Sequence, residues 1–290
     1  MAPWSADGRG NGCHDCGAFL LDFVGRFRRG DVSVRWSEGQ RPSSEAVDRA
    51  IEEAWHEQLA AARRDGRWLV NGRLCRLIEC QAGNGVLHLT LGEVSYKEFV
   101  GTNLTNAPLR YVHGPEVLAN PLGVSAAIVS SDGFLLLGRR SRLVFTHGGR
   151  LHPIAGIVQP PDVAGNLPNP FQAIAEEIEE ELGLPGEALR LSECLGMIRD
   201  KQIVQPELIF DVRVDAGEAE IRRSAAGAAD ALEHEEIVAT RDQPGAVVAF
   251  LREHVGELTS AALAMLLLHG QRHWGTGWFV SARACIQGVG

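Results

Sequence analysis

Apolar positions along the chain change their spacing several times, and each change marks an element. From Ser44 to Arg64 the residues Val47, Ile51, Ala54, Trp55, Leu59 and Ala62 recur at helical spacing. Ser43 or Ser44 can cap that helix. Between Leu74 and Leu91 two strand-like segments, RLCRLIEC and VLHLTLG, flank the turn AGNG. SYKEFVGTN follows, then a polar, Pro-containing stretch to about Leu118, where a domain boundary is expected. From Gly123 the pattern sharpens. GVSAAIVS reads as a buried strand, SSDG as a turn in which Gly133 can take a positive φ, and FLLLGRRSR as the returning strand. A long Pro/Gly loop, residues 158–169, precedes the next helix. Asn169 is a good N-cap for it, Pro170 suits its first position and Gln172 can complete a capping box. Gly183 and Pro185 end it. CLGMIRD and ELIFDVRV read as two further strands, and helices over about Gly245–Val255 and Thr259–His269 close the pattern. Residues 1–44, rich in Gly, Arg and Ser, show only weak periodicity.

Composition narrows the class. At 290 residues with 45% hydrophobic and 22% charged positions, the sequence reads as a soluble globular protein with a substantial core and two domains, or one domain with a large extension. A net charge of -9 argues against nucleic acid as the main partner, which usually leaves a basic footprint. It leaves room for a phosphorylated substrate, because a bound metal supplies positive charge. No targeting pattern is evident at the start, and the longest apolar run, Ala261 to Leu268, is far short of a membrane span. A cytoplasmic location and no membrane partner are expected. Of the six cysteines only Cys13 and Cys16, beside His14, have suggestive spacing, and one CxxC is two ligands short of a zinc site.

The helix from Pro170 carries the candidate chemistry. At about 100° per residue, Phe171, Ile174, Ile178 and Leu182 fall on one stripe. Glu177, Glu180 and Glu181 crowd the adjacent flank, while Glu176 and Glu179 point elsewhere. Near the C-terminus these charges oppose the helix dipole, so they are poorly placed for stability alone. A solvated acidic face is one reading. A hard cation with oxygen ligands, Mg²⁺ or Mn²⁺, is the other.

The run Glu176-Glu177-Ile178-Glu179-Glu180-Glu181-Leu182-Gly183-Leu184 resembles the second half of the Nudix box, R-E-U-x-E-E-x-G-U, at every defined position but the first, where Glu176 replaces Arg. The hairpin before it is where a Nudix fold places its first hairpin. The first half of the box is missing in its usual form: His152-Pro153-Ile154-Ala155-Gly156-Ile157 and a longer loop stand there, with Asp162 a candidate for the lost Glu. SYKEFVGTN, NPLGVSAA and GRRSR are similar to the atypical Nudix branch that hydrolyses UDP-glucose and UDP-galactose.

The resemblance implies an α+β fold, an α-β-α sandwich over residues 119–290, with a smaller N-terminal α/β domain, residues 1–118, that recognises the nucleoside. It implies hydrolysis of a nucleotide-sugar pyrophosphate to UMP and sugar 1-phosphate. Mg²⁺ (or Mn²⁺) would sit on Glu177, Glu180, Glu181 and Glu207, with Glu177 or Glu207 as base. Tyr96, Phe99, Thr102 and Asn103 resemble the uridine-contacting segment, by stacking and by polar readout. Packing in the core is the plainer role for Phe99. Arg140, flanked by Arg139 and Arg142, is the candidate phosphate contact. The altered box leaves open a nucleotide sensor without catalysis, and a hydrolase of ADP-ribose or a dinucleotide.

Overall fold

In a computed structural model, residues 14–66, 69–142, 146–163 and 165–287 are described. In chain order the elements are strands β1 (His14–Asp15), β2 (Phe19–Phe27) and β3 (Val32–Trp36), helix α1 (Glu45–Arg64), strands β4 (Arg73–Gly83) and β5 (Val86–Ser95), and short helices α2 (Tyr96–Phe99) and α3 (Arg110–His113). Then come β6 (Gly123–Val129), β7 (Phe134–Arg140), β8 (Leu151–His152), β9 (Ile154–Ile157), α4 (Pro170–Leu182), β10 (Leu189–Asp200) and β11 (Pro206–Val214). Helix α5 (Glu218–Ala225), β12 (His234–Arg241), α6 (Pro244–His254) and α7 (Ser260–Gln287) complete the order.

The main sheet runs β1-β2-β10-β11-β6-β7-β12, with β8 beside β7 and β9 beside β6. It is mixed: β6 and β11 are parallel, and their neighbours antiparallel. Alternation along the strands sorts side chains onto two helical layers. On β11, Leu208, Phe210 and Val212 join α4 in one core, while Ile209 joins α6 and α7 in the other. On β6, Val124, Ala126 and Ile128 face α4, and Ala127 and Val129 face the opposite layer. Both faces are covered, which is why GVSAAIV reads as a near-continuous apolar run and is buried throughout. The expected α-β-α sandwich is thus present.

A second, three-stranded sheet, β3-β5-β4, carries the hairpin expected around AGNG. Its Leu77, Leu87, Leu89 and Leu91 share the core of α4 and the main sheet. Strand β2, from the weakly patterned N-terminal stretch, pairs with β10, so the boundary expected near residue 118 is crossed by the main sheet. The last helix extends to Gln287, well past His269, and kinks at Gly275, whose φ of 86° suits glycine. Cys13 lies outside the described residues, while Cys16 is buried.

Candidate active site

Helix α4 forms where its caps predict. Asn169 accepts from the amides of Phe171 and Gln172, and Gly183 ends the helix in the left-handed conformation. Phe171, Ile174, Ile178 and Leu182 are buried against the sheet. That anchoring fixes which way the glutamates point.

A cleft of about 620 Å³ opens beside the helix. Glu177, Glu207, Arg140, Tyr96 and Phe99 all line it, together with Asp200. Glu177 reaches it over β9, packed against Gly156 so closely that a β-carbon there would overlap its carboxylate. Burial, then the Glu181 and Glu180 charges, push its carboxyl up to about 9. Glu207, at the start of β11, hydrogen-bonds the Ser125 hydroxyl, and burial pushes it up to about 7 against that bond. Arg140 is held by its Nε donating to the Thr146 carbonyl at 3.0 Å.

Glu181 lies behind the cleft, 2% exposed. The Ala155 amide donates to its Oε1 at 3.2 Å, and its Oε2 meets His234 Nε2. Burial and the Glu233 charge raise its carboxyl well above the usual range. Burial pushes the His234 ring down to about 4. Glu180 is exposed, and its carboxyl is raised by partial burial and by Asp230.

The Glu181, Glu180, Glu233 and Asp230 charges raise the Glu177 carboxyl, and the Asp230 and Glu233 charges also raise those of Glu180 and Glu181. A hard divalent cation of the Mg²⁺ class takes oxygen donors and relieves such charge. Glu177, Glu207 and Glu233 line the cleft while Glu181 lies behind it and Glu180 is exposed, so the fit of these residues to a cation rests on their donor chemistry.

Thr102 and Asn103 stand elsewhere. Both are fully buried and neither lines the cleft. Thr102 Oγ1 donates to the Glu98 carbonyl at 2.6 Å and accepts from the Ala119 amide. Asn103 donates to the Ile203 carbonyl and accepts from the Asn120 amide at 2.9 Å, stitching two loops together. From this segment Tyr96 and Phe99 reach the cleft, packed edge-on at 6.1 Å. Asp162 is exposed, with its charge felt by Arg73, and does not line the cleft. Arg139 turns away to pair with Glu257 at 2.8 Å.

His147, His152, Glu233 and His234 add to the residues that the sequence pattern marks. The first three line the cleft. His152 Nδ1 lies 2.9 Å from Thr259 Oγ1, and burial holds both cleft histidines below their ordinary values. Their signal is only the string His147-Gly148-Gly149-Arg150-Leu151-His152, which has no helical or strand period.

No protein-family profile matches the chain. It is 33% identical to the uridine diphosphate glucose pyrophosphatase NUDT22 of Homo sapiens, over 53% of this chain and 58% of that protein. The resemblance to Nudix hydrolases is borne out. A Nudix hydrolase of Arabidopsis thaliana is 25% identical over 64% of this chain and 70% of its own length. Among solved structures, a Nudix hydrolase from Nitrosomonas europaea is similar at 15% identity and a TM-score of 0.38, covering 52% of this chain and 89% of that one. The chain spans a little over half the length of the human relative.

Proposed function

We propose that the protein is a metal-dependent pyrophosphohydrolase of a nucleoside-diphosphate sugar, with UDP-glucose or UDP-galactose cut to UMP and sugar 1-phosphate. The observation that carries this is one cleft holding Glu177, Glu207 and Arg140 together with the aromatic pair Tyr96 and Phe99. The name of the human relative supports the uridine diphosphate sugar.

Glu177, Glu180 and Glu181 would hold Mg²⁺, with Glu207 and Glu233 near enough to the cleft to complete the set. When bound, the cation neutralises pyrophosphate charge and acidifies water. Arg140 presents its guanidinium to a phosphate oxygen. Glu207, half-buried and with its carboxyl pushed up to about 7 by burial, accepts a proton from the attacking water. Tyr96 and Phe99 offer an apolar wall to the base. The work is positioning and charge stabilisation, with no covalent intermediate required.

The test is a hydrolysis screen of the purified chain with Mg²⁺ over UDP-glucose, ADP-glucose, ADP-ribose and a dinucleotide, with UMP and glucose 1-phosphate identified as products. Nucleotide binding with no phosphate-bond cleavage on any substrate would overturn catalysis and leave a sensor. Cleavage of ADP-ribose or the dinucleotide in preference would overturn the sugar assignment alone.

A further inference from the structure

On the other side of the main sheet lies a second cluster that the cleft does not use. Phe210 of β11 faces α4, meeting Phe171 edge-on at 5.0 Å. Its neighbour Asp211 therefore faces α7. There His269 and His273, one helical turn apart, present their rings side by side with centroids 4.5 Å apart. Asp211 gives one oxygen to each: Oδ1 is 2.9 Å from His269 Nδ1, and Oδ2 is 2.6 Å from His273 Nε2. One donor atom from each residue lies within 4.8 Å of the other two.

We propose that Asp211, His269 and His273 form a second metal site, separate from the carboxylate cleft, for a borderline divalent cation of the Zn²⁺ class. Two imidazoles and one carboxylate are the donor set such an ion prefers, and three protein ligands leave a position for water. The cleft beside α4 is richer in carboxylates, which suit a harder ion.

The surroundings of His269 strengthen the assignment. Its Nδ1 points at the cluster, and its Nε2 lies 2.8 Å from Asp242 Oδ1. A ligating histidine characteristically gives its far nitrogen to a carboxylate, which fixes the ring and raises its basicity. Asp242 is in turn 3.7 Å from Arg213, so that outer carboxylate is itself held. Both ring nitrogens of His269 thus face carboxylates. His269 and Asp211 are buried and His273 opens to solvent, which gives an entry path.

The test is calorimetric titration of Zn²⁺ into the full chain, in wild type and in Glu181→Gln, which removes a carboxylate proposed for the cleft's own cation. One tight site is expected in both. It should weaken by about 100-fold or more in His273→Ala, a surface change that leaves the fold intact, and in Asp211→Asn, which keeps shape. Co²⁺ in place of Zn²⁺ should give visible absorption that His273→Ala removes. UDP-glucose hydrolysis by His273→Ala should equal wild type. Absence of Zn²⁺ binding in Glu181→Gln overturns the site, as does binding unchanged by both cluster substitutions. The inference stands apart from the hydrolase reading: a chain that hydrolyses nothing can still hold this cation.

Discussion

Gly156 and Glu177 occupy complementary space: a β-carbon on Gly156 would overlap the Glu177 carboxylate. Gly156 lies in β9 and pairs with Val124 of β6, so its backbone has nowhere to retreat. The strand and the helix are both anchored in the core, and the missing side chain is what lets the glutamate lie over the strand into the cleft. Gly156→Ala should therefore keep the fold and displace Glu177. An ångström of misplacement at a catalytic group costs about 10²-fold. Turnover and Mn²⁺ affinity should fall together while the melting temperature stays near wild type. Unchanged metal affinity would mean that Glu177 is no ligand.

Two glutamates of α4, Glu181 and Glu176, should behave very differently. Glu181→Gln keeps shape and loses a buried, doubly hydrogen-bonded carboxylate, so hydrolysis should drop about 10²-fold or more. Glu176 is exposed and accepts from Gln172 Nε2, at 2.8 Å one turn away. Glu176→Gln should be mild in turnover and in metal affinity. Equal damage from the two, measured on folded protein, would shift the register of the metal face by one residue.

The contrast shows what was legible in the chain. Asn169, Pro170 and Gly183 bounded α4 because caps and breakers act over a few residues, and the glutamate flank followed from helical geometry. Gly156 and His234 stayed hidden because their roles depend on packing across strands far apart in sequence. Strand β12 begins at His234, and its solvent-facing Glu235 and Glu236 obscure any alternation. Strand β2 carries little periodic signal because FLLDFVGRF buries little beyond Phe19, Leu21 and Phe27. Thr102 and Asn103 are the polar types that read a base edge, and the same types pin loops from inside. Only burial separates the two uses.

Uracil selection can be divided along that line. UDP-glucose should be cut faster than ADP-glucose, since a site fitted to one base leaves polar groups unpaired with another. Replacing Tyr96, which lines the cleft, with Leu should raise KM for UDP-glucose and narrow the gap. Asn103→Ala should instead lower stability by about 1–3 kcal/mol, because it leaves the Asn120 amide and the Ile203 carbonyl without their partner. Melting temperature and the ratio of kcat/KM for the two substrates separate these effects. Equal rates on both substrates in wild type would refute uracil selection.

Glu193 offers a pH test of the fold itself. Its side chain is 2% exposed in β10, where Arg26 of β2 donates to it at 2.9 Å and Arg272 of α7 at 3.0 Å. Burial would raise its carboxyl, but these hydrogen bonds overcome burial and hold it below the ordinary value. A carboxyl depressed in the folded state stabilises above the unfolded pKa, about 4.3, and that stability is lost as pH falls through the folded value. Glu193→Gln should thus cost about 1.5–3 kcal/mol at pH 7, the scale of hydrogen bonds to a charged group. The cost should shrink steadily below about pH 4.3, as the wild-type carboxyl gains its own proton. Urea denaturation of both proteins from pH 7 to pH 3 reads the difference directly. A cost that stays constant across that range would show that Glu193 acts through shape and hydrogen bonding alone, with its charge contributing nothing to the join between β2, β10 and α7.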